Sequence, residues 1–314
     1  MPRVTVSVPA TSANLGPGFD SFGLALGLYN RFSAEPADEW TVEIAGEGAG
    51  ALHTDEKNPV AEAMARIFSE QGQPDRCARI SCMNKIPTGK GLGSSAAAIV
   101  GGMLLANELC EVPLSTQRIF ETAAQMEGHP DNVAAALFGG LTLSWNDEGD
   151  VRCVSLSPQG GLAAILTVSS LPYETKRARK LLPAEVPHAD AAFNAGRAGL
   201  LVAGLALGRG DLLGAGMQDR LHEQYRTDAL PGFSEVRAVL LEAGASGVAL
   251  SGAGPTVIGL VSGDEDDEAF RIAKDIANRA RADVDMIKDY SAPVAVPIDR
   301  GGARMIENDR LESI

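Results

Sequence analysis

A glycine-rich segment at residues 85–98 has the residue types and spacing of a phosphate-binding loop. It reads Lys-Ile-Pro-Thr-Gly-Lys-Gly-Leu-Gly-Ser-Ser-Ala-Ala-Ala, so three glycines stand at alternate positions directly before a predicted helix. Such a backbone can turn sharply with its N–H groups inward, and the helix start adds unpaired N–H groups and a positive dipole end. The spacing differs from the Walker and dinucleotide-binding patterns and from the nucleophile elbow. We interpret the segment as a cradle for nucleotide phosphates, with a purely structural turn as the alternative.

The segment at residues 127–132, Glu-Gly-His-Pro-Asp-Asn, places acidic and amide side chains at a junction between two predicted helices. Glu127 could ligate a hard cation such as Mg²⁺, which prefers one or two carboxylates together with substrate phosphate oxygens. Asp131 could support that ligand or act as a base, whereas zinc binding by His129 is the weaker hypothesis because few further ligands are adjacent. We expect the other histidines to be buried and hydrogen-bonded in the core: His53, His188 and His222.

Two further segments are rich in glycine, proline and small polar residues. Residues 9–20 follow a predicted strand and interrupt it, which favours a solvated loop, although Asn14 and Asp20 could form one wall of a polar ligand site. Residues 251–256, Ser-Gly-Ala-Gly-Pro-Thr, lie between two short predicted strands and favour a hairpin turn. The same flexible backbone could instead serve as a second wall near a phosphate.

The order of these glycine segments is similar to that of the GHMP kinase superfamily, whose central motif resembles residues 85–98. Within the superfamily, residues 8–26 resemble homoserine kinases, and the Gly-Glu-His type of motif that galactokinases and mevalonate kinases carry in this region is absent. Residues 127–133, 222–226 and 230–233 also resemble homoserine kinases, and the resemblance extends over about residues 4–260.

The resemblance implies an enzyme that transfers the γ-phosphate of ATP to the side-chain hydroxyl of L-homoserine, in threonine biosynthesis. One run would wrap the ATP phosphates: Pro87, Thr88, Gly89, Lys90, Gly91, Leu92, Gly93, Ser94, Ser95, Ala96 and Ala97. Glu127 with Ser94 or Ser95 would hold Mg²⁺, and Asn58 would border the adenine. Several segments would surround homoserine: Asn14, Asp20, His129, Asn132, Thr175, Arg179, Arg226 and Gly254. The two arginines would pair with its carboxylate, because a planar guanidinium bonds both oxygens at once.

The general base stays open at this point. The candidate catalytic residues are Asn132, Glu127, Asp131 and Arg179. Phosphoryl transfer needs mainly positioning and charge stabilisation, so a base is not a requirement of the chemistry. Some superfamily members use an aspartate, whereas homoserine kinases are thought to pass the hydroxyl proton to the phosphate while an asparagine, here Asn132, orients the oxygen. We hypothesise the base-free route, with Asp131 as the alternative.

Two other functions are compatible with the motifs. The first is another small-molecule GHMP kinase that places a different alcohol in the same site. The second is a non-catalytic ligand sensor on the kinase fold, which predicts the loss of metal and phosphate residues. Those residues are all present in this sequence, which disfavours the sensor.

The overall composition limits the classes of partner. The 314 residues include 27 Lys+Arg and 41 Asp+Glu, a formal net charge of −14, and only 5% are aromatic. Both values argue against a general nucleic-acid binder, so binding of the anionic ATP must be local.

Four cysteines without a C-x-x-C pair are typical of small buried residues. Neither a bilayer-length apolar run nor a basic and apolar leader is present, which predicts a cytoplasmic protein without membrane partners, and the resemblance adds a possible homodimer.

The elements predicted from periodicity must bring these segments together. Apolar spacing after Asn58 predicts a helix with Pro59 at its first position. Other helices are predicted at 94–109, 115–126, 130–137, 175–182, 188–207, 234–243 and 267–280, and strands at 4–8, 41–44, 79–83, 141–145, 151–156, 162–168, 248–250 and 257–261. This mixture without regular alternation predicts an α+β fold. Residues 157–161 contain no apolar residue and follow a predicted hairpin, which predicts a domain boundary there, between residues 1–157 and 158–314. The resemblance implies that the first domain is like domain 2 of ribosomal protein S5 and that the second is ferredoxin-like, with the active site between them.

Overall fold

The computed structural model describes residues 3–171, 173 and 175–306. Its strands are β1 Val4–Asn14, β2 Gly18–Ala37, β3 Thr41–Gly46, β4 Cys77–Asn84, β5 Leu141–Asp147, β6 Asp150–Leu156, β7 Gly161–Thr167, β8 Gly247–Leu250, β9 Val257–Gly263, β10 Val294–Pro297 and β11 Arg304–Met305. Its α-helices are α1 Pro59–Glu70, α2 Ser94–Leu109, α3 Thr116–Glu127, α4 Asp131–Phe138, α5 Thr175–Lys180, α6 His188–Ala206, α7 Leu213–Gly216, α8 Glu223–Arg226, α9 Phe233–Glu242 and α10 Asp266–Asp285. None of the helices in this part of the chain has the length and apolar character needed to span a bilayer.

The first sheet is organised around β2, which pairs antiparallel with β1, β4 and β5. The order is β11, β1, β2, β4 and β3, and β6 joins through β5. β3 is parallel to β4, whereas the other pairs are antiparallel. Because β2 pairs with three strands along its 20 residues, it connects β1 and β4 to the β5–β6 hairpin.

Helix α2 is nearly free of charge because it is enclosed on several sides. A Cβ added at Gly101 would collide with the Phe32 ring of β2, and one at Gly102 would collide with Val60 O of α1. The neighbouring α1 starts as predicted, since Asn58 caps it by accepting a hydrogen bond from Val60 N at 3.0 Å. The small residues of α2 therefore allow close packing against α1 and β2. This packing fixes the N-terminus of α2 beside residues 85–93, the part of the glycine-rich segment that precedes the helix and is called the glycine loop below.

The second sheet has the order β10, β7, β9 and β8, all antiparallel. With α10 between β9 and β10, this strand order is the ferredoxin-like arrangement that the resemblance implies. Alternate residues of β7 face two cores: Ala163 and Ile165 pack against α9 and α10, whereas Leu162, Ala164 and Leu166 join the core of the first sheet. Strand β7 therefore lies between the two apolar cores and contributes side chains to both.

The last described segment returns to the first sheet. Ile298 forms a bridge with Leu26 of β2, and β11 pairs with β1. The buried Asp299 holds this return, because its carboxylate accepts hydrogen bonds from Tyr29 Oη at 2.7 Å and Gly302 N at 2.6 Å. Residues 298–306 thus lie against the N-terminal half, while the division at 157 and 158 stays a prediction.

Some expectations from the sequence are wrong. Residues 9–20 are not a solvated loop, because β1 continues as a buried strand to Asn14 and β2 begins at Gly18. Small residues there pack closely against the glycine loop, and Thr11 N donates to Leu92 O at 3.1 Å. His53 and His188 are exposed, and only His222 is a buried, hydrogen-bonded histidine of the expected kind. Among the cysteines, Cys82 and Cys110 are buried, whereas Cys77 and Cys153 are partly exposed.

Candidate active site

A cleft between the two sheets brings together most of the residues singled out from the sequence. A cavity of about 110 Å³ is lined by Asn14, Asp20, Gly89, Lys90, Gly91, Gly93, Ser94, Ser95, Glu127, His129, Asp131, Asn132, Thr175, Arg179 and Arg226. An adjoining cavity of about 180 Å³ is lined by Asn58 and Thr88 and shares Gly89, Ser94 and Ser95 with the first. The remaining residues of the predicted set line neither cavity: Pro87, Leu92, Ala96, Ala97 and Gly254.

The glycine loop has the conformation expected of an anion cradle. Gly89, Gly91 and Gly93 have φ values of 67°, 75° and 65°, in the left-handed region that glycine adopts readily. The first helical hydrogen bond of α2 runs from Ala97 N to Gly93 O at 2.9 Å, so the N–H groups before Ala97 have no partner within the helix. Ala97 itself has no free N–H, which removes it from the group of phosphate donors.

Two of these glycines are held against neighbouring segments. A Cβ at Gly93 would overlap the buried Thr11 Oγ1, and one at Gly91 would overlap Ser251 O. Ser251 Oγ also donates to Gly91 O at 2.6 Å, so the turn at residues 251–256 supports the loop from the second sheet. At Gly89, by contrast, a Cβ would meet no atom within 4 Å.

Lys90 connects the glycine loop to the far side of the cleft. Its ammonium donates to Ser170 O at 2.8 Å and to Leu171 O at 2.9 Å, in the segment that follows β7. Burial lowers the pKa of Lys90, opposed by the charge of Glu47. The lysine therefore links the glycine loop to the segment that follows β7.

A serine and a carboxylate meet at the start of α2. Ser95 Oγ donates to Glu127 Oε2 at 2.7 Å, which joins the N-terminus of α2 to the C-terminus of α3. Burial raises the pKa of Glu127, and the bond from Ser95 opposes that rise. The hydroxyl oxygen of Ser95 and the carboxylate oxygens of Glu127 thus lie side by side next to the glycine loop. Oxygen ligands of this kind suit a hard cation such as Mg²⁺.

Asp131 lies at the start of α4, where a compact polar cluster forms. Its Oδ1 is 2.8 Å from His129 Nδ1 and accepts from Asn132 N at 2.7 Å and from Asn132 Nδ2 at 3.3 Å. Thr11 Oγ1 donates to Asn132 Oδ1 at 2.8 Å, which fixes the orientation of that amide. Burial lowers the pKa of His129, but the bond to Asp131 and the acidic neighbours outweigh it and the net shift is upward.

The opposite end of the cleft carries two arginines and an aspartate. Arg179 of α5 donates to both oxygens of Asp20 at 2.8 and 2.6 Å, across the cleft. The hydrogen bonds that Arg179 donates to Asp20 raise the pKa of Arg179. Asn14 orders the aspartate, because its Oδ1 accepts from Asp20 N at 3.1 Å while its Nδ2 donates to Gly252 O at 2.8 Å.

Arg226 lies at the floor of this end and is only 1% exposed. Its Nη1 is 3.0 Å from His222 Nδ1 and 3.4 Å from Gly252 O. Within the described part of the chain its Nε is buried without a hydrogen-bond partner. Burial lowers the pKa of Arg226, so the charge is kept in a poorly solvated place that favours an incoming anion.

Among the other residues that line the cleft, Ala13, Phe19 and Tyr173 were not singled out from the sequence, whereas Gly252 and Ala253 belong to the turn at residues 251–256 that was considered as a second wall. The Phe19 ring centroid lies 5.5 Å from the guanidinium carbon of Arg179 and 5.6 Å from that of Arg226, so one aromatic ring contacts both cations. Phe19 stands next to Asp20 in the sequence, and this adjacency was the available signal. Tyr173 is buried, and nothing in its local pattern marks it.

Comparisons with known protein families give matches in both the N-terminal and the C-terminal half of the chain. The family described as GHMP kinases N terminal domain matches residues 58–140, and GHMP kinases C terminal matches residues 201–281. Homoserine kinase of Streptomyces coelicolor is 44% identical over 274 residues, which cover 86% of this chain and 88% of that protein. The homoserine kinase of Carboxydothermus hydrogenoformans is 43% identical over 258 residues, covering 82% and 84%.

Solved structures show the same relationship. The crystal structure of homoserine kinase from Cytophaga hutchinsonii matches with a TM-score of 0.84 at 30% identity and covers 97% of both chains. Mevalonate kinase of L. major, solved in complex with R-mevalonate, matches with a TM-score of 0.71 over 94% of this chain and 96% of that one. At 14% identity, this second likeness concerns the fold alone.

Proposed function

The chain belongs to the homoserine kinases of the GHMP kinase family, and we propose that the cleft between its two sheets carries out their reaction with the residues that line it. The fold is the two-domain GHMP kinase fold, and the chain is an ATP-dependent kinase that phosphorylates the side-chain hydroxyl of L-homoserine. The product is O-phospho-L-homoserine. The amino acid, the nucleotide and the cation each have a separate place in the cleft.

The ion pair between Asp20 and Arg179 is the observation that carries the substrate assignment. An α-amino acid is a zwitterion, with an ammonium and a carboxylate on one carbon. Asp20 is a partner for the ammonium, and Arg179 with Arg226 is a partner for the carboxylate. Without substrate, Asp20 and Arg179 satisfy each other across the cleft, so the amino acid would replace one ion pair by two.

The phosphate end of the cleft suits ATP. The adjoining cavity beside Asn58 and Thr88 would take the adenine, and the N–H groups of the glycine loop and of the start of α2 would take the phosphates. Glu127 and Ser95 would hold Mg²⁺, and the bond between them favours Ser95 over Ser94 for this role. The cation would neutralise phosphate charge that develops during transfer.

The residues around the acceptor favour a reaction without a general base. Asn132 Oδ1 accepts from Thr11, and Nδ2, which donates one hydrogen to Asp131, has a second hydrogen left to orient the homoserine hydroxyl. Asp131 Oδ1 is already hydrogen-bonded to His129 and to Asn132, so the carboxylate holds these two residues in position. Asp131 is therefore assigned a positioning role, and the hydroxyl proton passes to the phosphate.

Substitution of Asp131 by asparagine tests this route. We expect the Asp131→Asn variant to transfer phosphate in a single turnover at a rate reduced by about tenfold, because His129 and Asn132 lose a charged partner. The measurement is the rate of a single turnover with both substrates prebound. Abolition of the chemical step while ATP and homoserine still bind would make Asp131 the base.

An ADP-release assay across alcohols tests the substrate assignment. We expect L-homoserine to give the highest kcat/KM, and L-serine, D-homoserine, mevalonate, shikimate and galactose each to be at least about 100-fold poorer, because they lack the chain length or the two charges in the right places. Equal turnover of an alcohol that is not an amino acid would favour the alternative of another GHMP kinase substrate. Absence of turnover with every alcohol would favour the ligand sensor.

Three further features stay predictions. A cytoplasmic location and the domain division at residues 157 and 158 were predicted from the sequence, and a homodimer comes from the resemblance alone. Nucleic acid and membrane partners are not part of the proposed function. ATP and homoserine are the partners that it requires.

A further inference from the structure

A buried histidine lies directly behind the arginine at the floor of the cleft. His222 is fully buried, with its Nε2 2.7 Å from Gly16 O and its Nδ1 3.0 Å from Arg226 Nη1. Gly16 belongs to the turn between β1 and β2 that leads to Asp20. The imidazole therefore joins the turn that precedes Asp20 to the arginine at the end of α8.

The partners of the two ring nitrogens define the protonation state of His222. A carbonyl oxygen can only accept, so Nε2 carries the hydrogen that it donates to Gly16 O. A guanidinium can only donate, so Nδ1 must present its lone pair to Arg226. The ring is thus neutral and in a single tautomer. Burial lowers the pKa of His222 to about 4, against the opposing charge of Asp219, which agrees with this state.

Arg226 has few other contacts that could fix it. Its Nη1 also lies 3.4 Å from Gly252 O, and its guanidinium carbon is 5.6 Å from the Phe19 centroid. Among the described residues, the arginine has no carboxylate within ion-pair distance, and its buried Nε has no partner. The imidazole is therefore the closest hydrogen-bond acceptor that sets the rotation of the guanidinium plane.

The short helix α8, which His222 precedes and Arg226 ends, is itself anchored at two points. Asp219 Oδ2 accepts from the backbone N–H groups of His222 and Glu223, each at 2.8 Å, which fixes the start of α8. Glu223 Oε1 accepts from Leu250 N at 2.6 Å, which joins α8 to the end of β8 just before the turn at residues 251–256. The backbone of α8 is thus held independently of the imidazole.

We propose that His222 is a positioning residue for carboxylate recognition, whose Nδ1 lone pair orients Arg226 so that its unpaired donors meet the carboxylate of an α-amino acid. This rests on the proposed function, which assigns the carboxylate to Arg226. A protonated ring at this place would oppose an N–H to an N–H and would repel the guanidinium. The neutral histidine therefore lets a buried arginine keep its geometry and its charge for the substrate.

Two substitutions of His222 separate its two hydrogen bonds. The amide of asparagine lies as many bonds from Cβ as Nδ1 does, so the His222→Asn variant keeps an acceptor for Arg226 and loses the link to Gly16. The amide of glutamine reaches the position of Nε2 instead, so the His222→Gln variant keeps a donor for Gly16 and loses the acceptor at Nδ1. The exposed His188, changed to glutamine, is the matched control.

Each protein is assayed with L-homoserine and with 3-aminopropan-1-ol, which is homoserine without its carboxylate. We expect His222→Gln to raise the KM for homoserine about 10- to 100-fold, the range of a hydrogen bond to a charged group, with the KM for ATP unchanged. His222→Asn should raise it less than His222→Gln. The 3-aminopropan-1-ol kinetics should be the same in all three variants and the unsubstituted protein.

The outcomes distinguish this inference from the assignment beneath it. An equal loss with both alcohols would show an effect that does not involve the carboxylate, and a larger loss in His222→Asn than in His222→Gln would show that the link to Gly16 matters. Either result would overturn the inference. If the unsubstituted protein does not prefer homoserine over 3-aminopropan-1-ol, Arg226 is not a carboxylate anchor, and the proposed substrate geometry falls together with the inference.

A measurement on the unsubstituted protein keeps the inference testable if a variant does not fold. The ¹⁵N NMR shifts of the His222 ring report which nitrogen carries hydrogen. We expect the neutral form with hydrogen on Nε2 at neutral pH. Hydrogen on Nδ1, in either the other tautomer or the charged ring, would remove the acceptor and overturn the inference.

Discussion

Replacement of Gly93 by alanine is expected to reduce kcat/KM for ATP by about 1,000-fold or more. Gly93 is the residue directly before α2, with φ of 65°, where a side chain is strained by about 1–2 kcal/mol. The larger effect is collision, because an added Cβ would overlap Thr11 Oγ1 and lie 3.2 Å from Asn132 Oδ1. Relief would separate Thr11 from Asn132 and move the N–H groups of the cradle together with the residue assigned to the acceptor hydroxyl.

Gly89→Ala is the matched control for this prediction. Its φ of 67° gives nearly the same backbone strain, but an added Cβ would meet no atom within 4 Å. We expect about a tenfold loss at most in this variant. Both variants are compared by kcat/KM for ATP at saturating homoserine, with circular dichroism to verify folding. If the two lose activity to the same extent, strain in the loop and not its close approach to Thr11 would be the cause.

Replacement of Glu127 by glutamine is expected to lower kcat about 1,000-fold, because a bound cation contributes several kcal/mol to phosphoryl transfer. The amide keeps the shape of the side chain and can still accept from Ser95 Oγ, so the change removes mainly the charge. The apparent affinity for Mg²⁺ should fall together with kcat. The measurement is a titration of the rate with MgCl₂ after chelation of the purified protein.

Glu121 on the same helix provides the control for charge alone. Its carboxylate accepts from Gln117 Nε2 at 2.9 Å and lies 3.6 Å from Arg118, away from the cleft. Glu121→Gln should leave the Mg²⁺ dependence unchanged. A Glu127→Gln variant with kcat and Mg²⁺ dependence close to those of the unsubstituted protein would contradict the metal assignment.

Elements with local signals could be predicted from the sequence. Helix α1 carries its own cap in Asn58 and a proline at its first position, and α2 spans the residues predicted for it. The glycine loop was likewise recognisable, because left-handed φ values at alternate positions require glycine. These features depend on a few neighbouring residues and need no knowledge of the rest of the chain.

The buried polar part of β1 could not be predicted in this way. Residues 9–14 look like a solvated loop because their polar groups find partners far away in the sequence. Ser12 Oγ lies 2.9 Å from Ser251 Oγ, and Thr11 Oγ1 donates to Asn132 Oδ1. The long strand β2 was missed, since register shifts in its pairing with β1 break the alternation that indicates a strand. Tertiary contacts decide both strands.

The substrate end of the cleft depended on the resemblance. Arg179 lies in a basic run whose other members face solvent, and spacing alone does not distinguish it. Arg226 is recognisable only as part of a motif, and its environment becomes clear only when Phe19 and His222 are seen beside it. The return of residues 298–306 to the first sheet had no sequence signal, because bridges such as Ile298 to Leu26 join distant parts of the chain.

Identification of the product is the most direct test of the central claim that this cleft phosphorylates the side-chain hydroxyl of an amino acid. The protein would be incubated with ATP, Mg²⁺ and L-homoserine, and the products followed by ³¹P NMR. We predict a phosphomonoester signal coupled to the side-chain methylene protons of homoserine, formed in equal amount to ADP. Release of inorganic phosphate with ADP and no such ester would contradict the account.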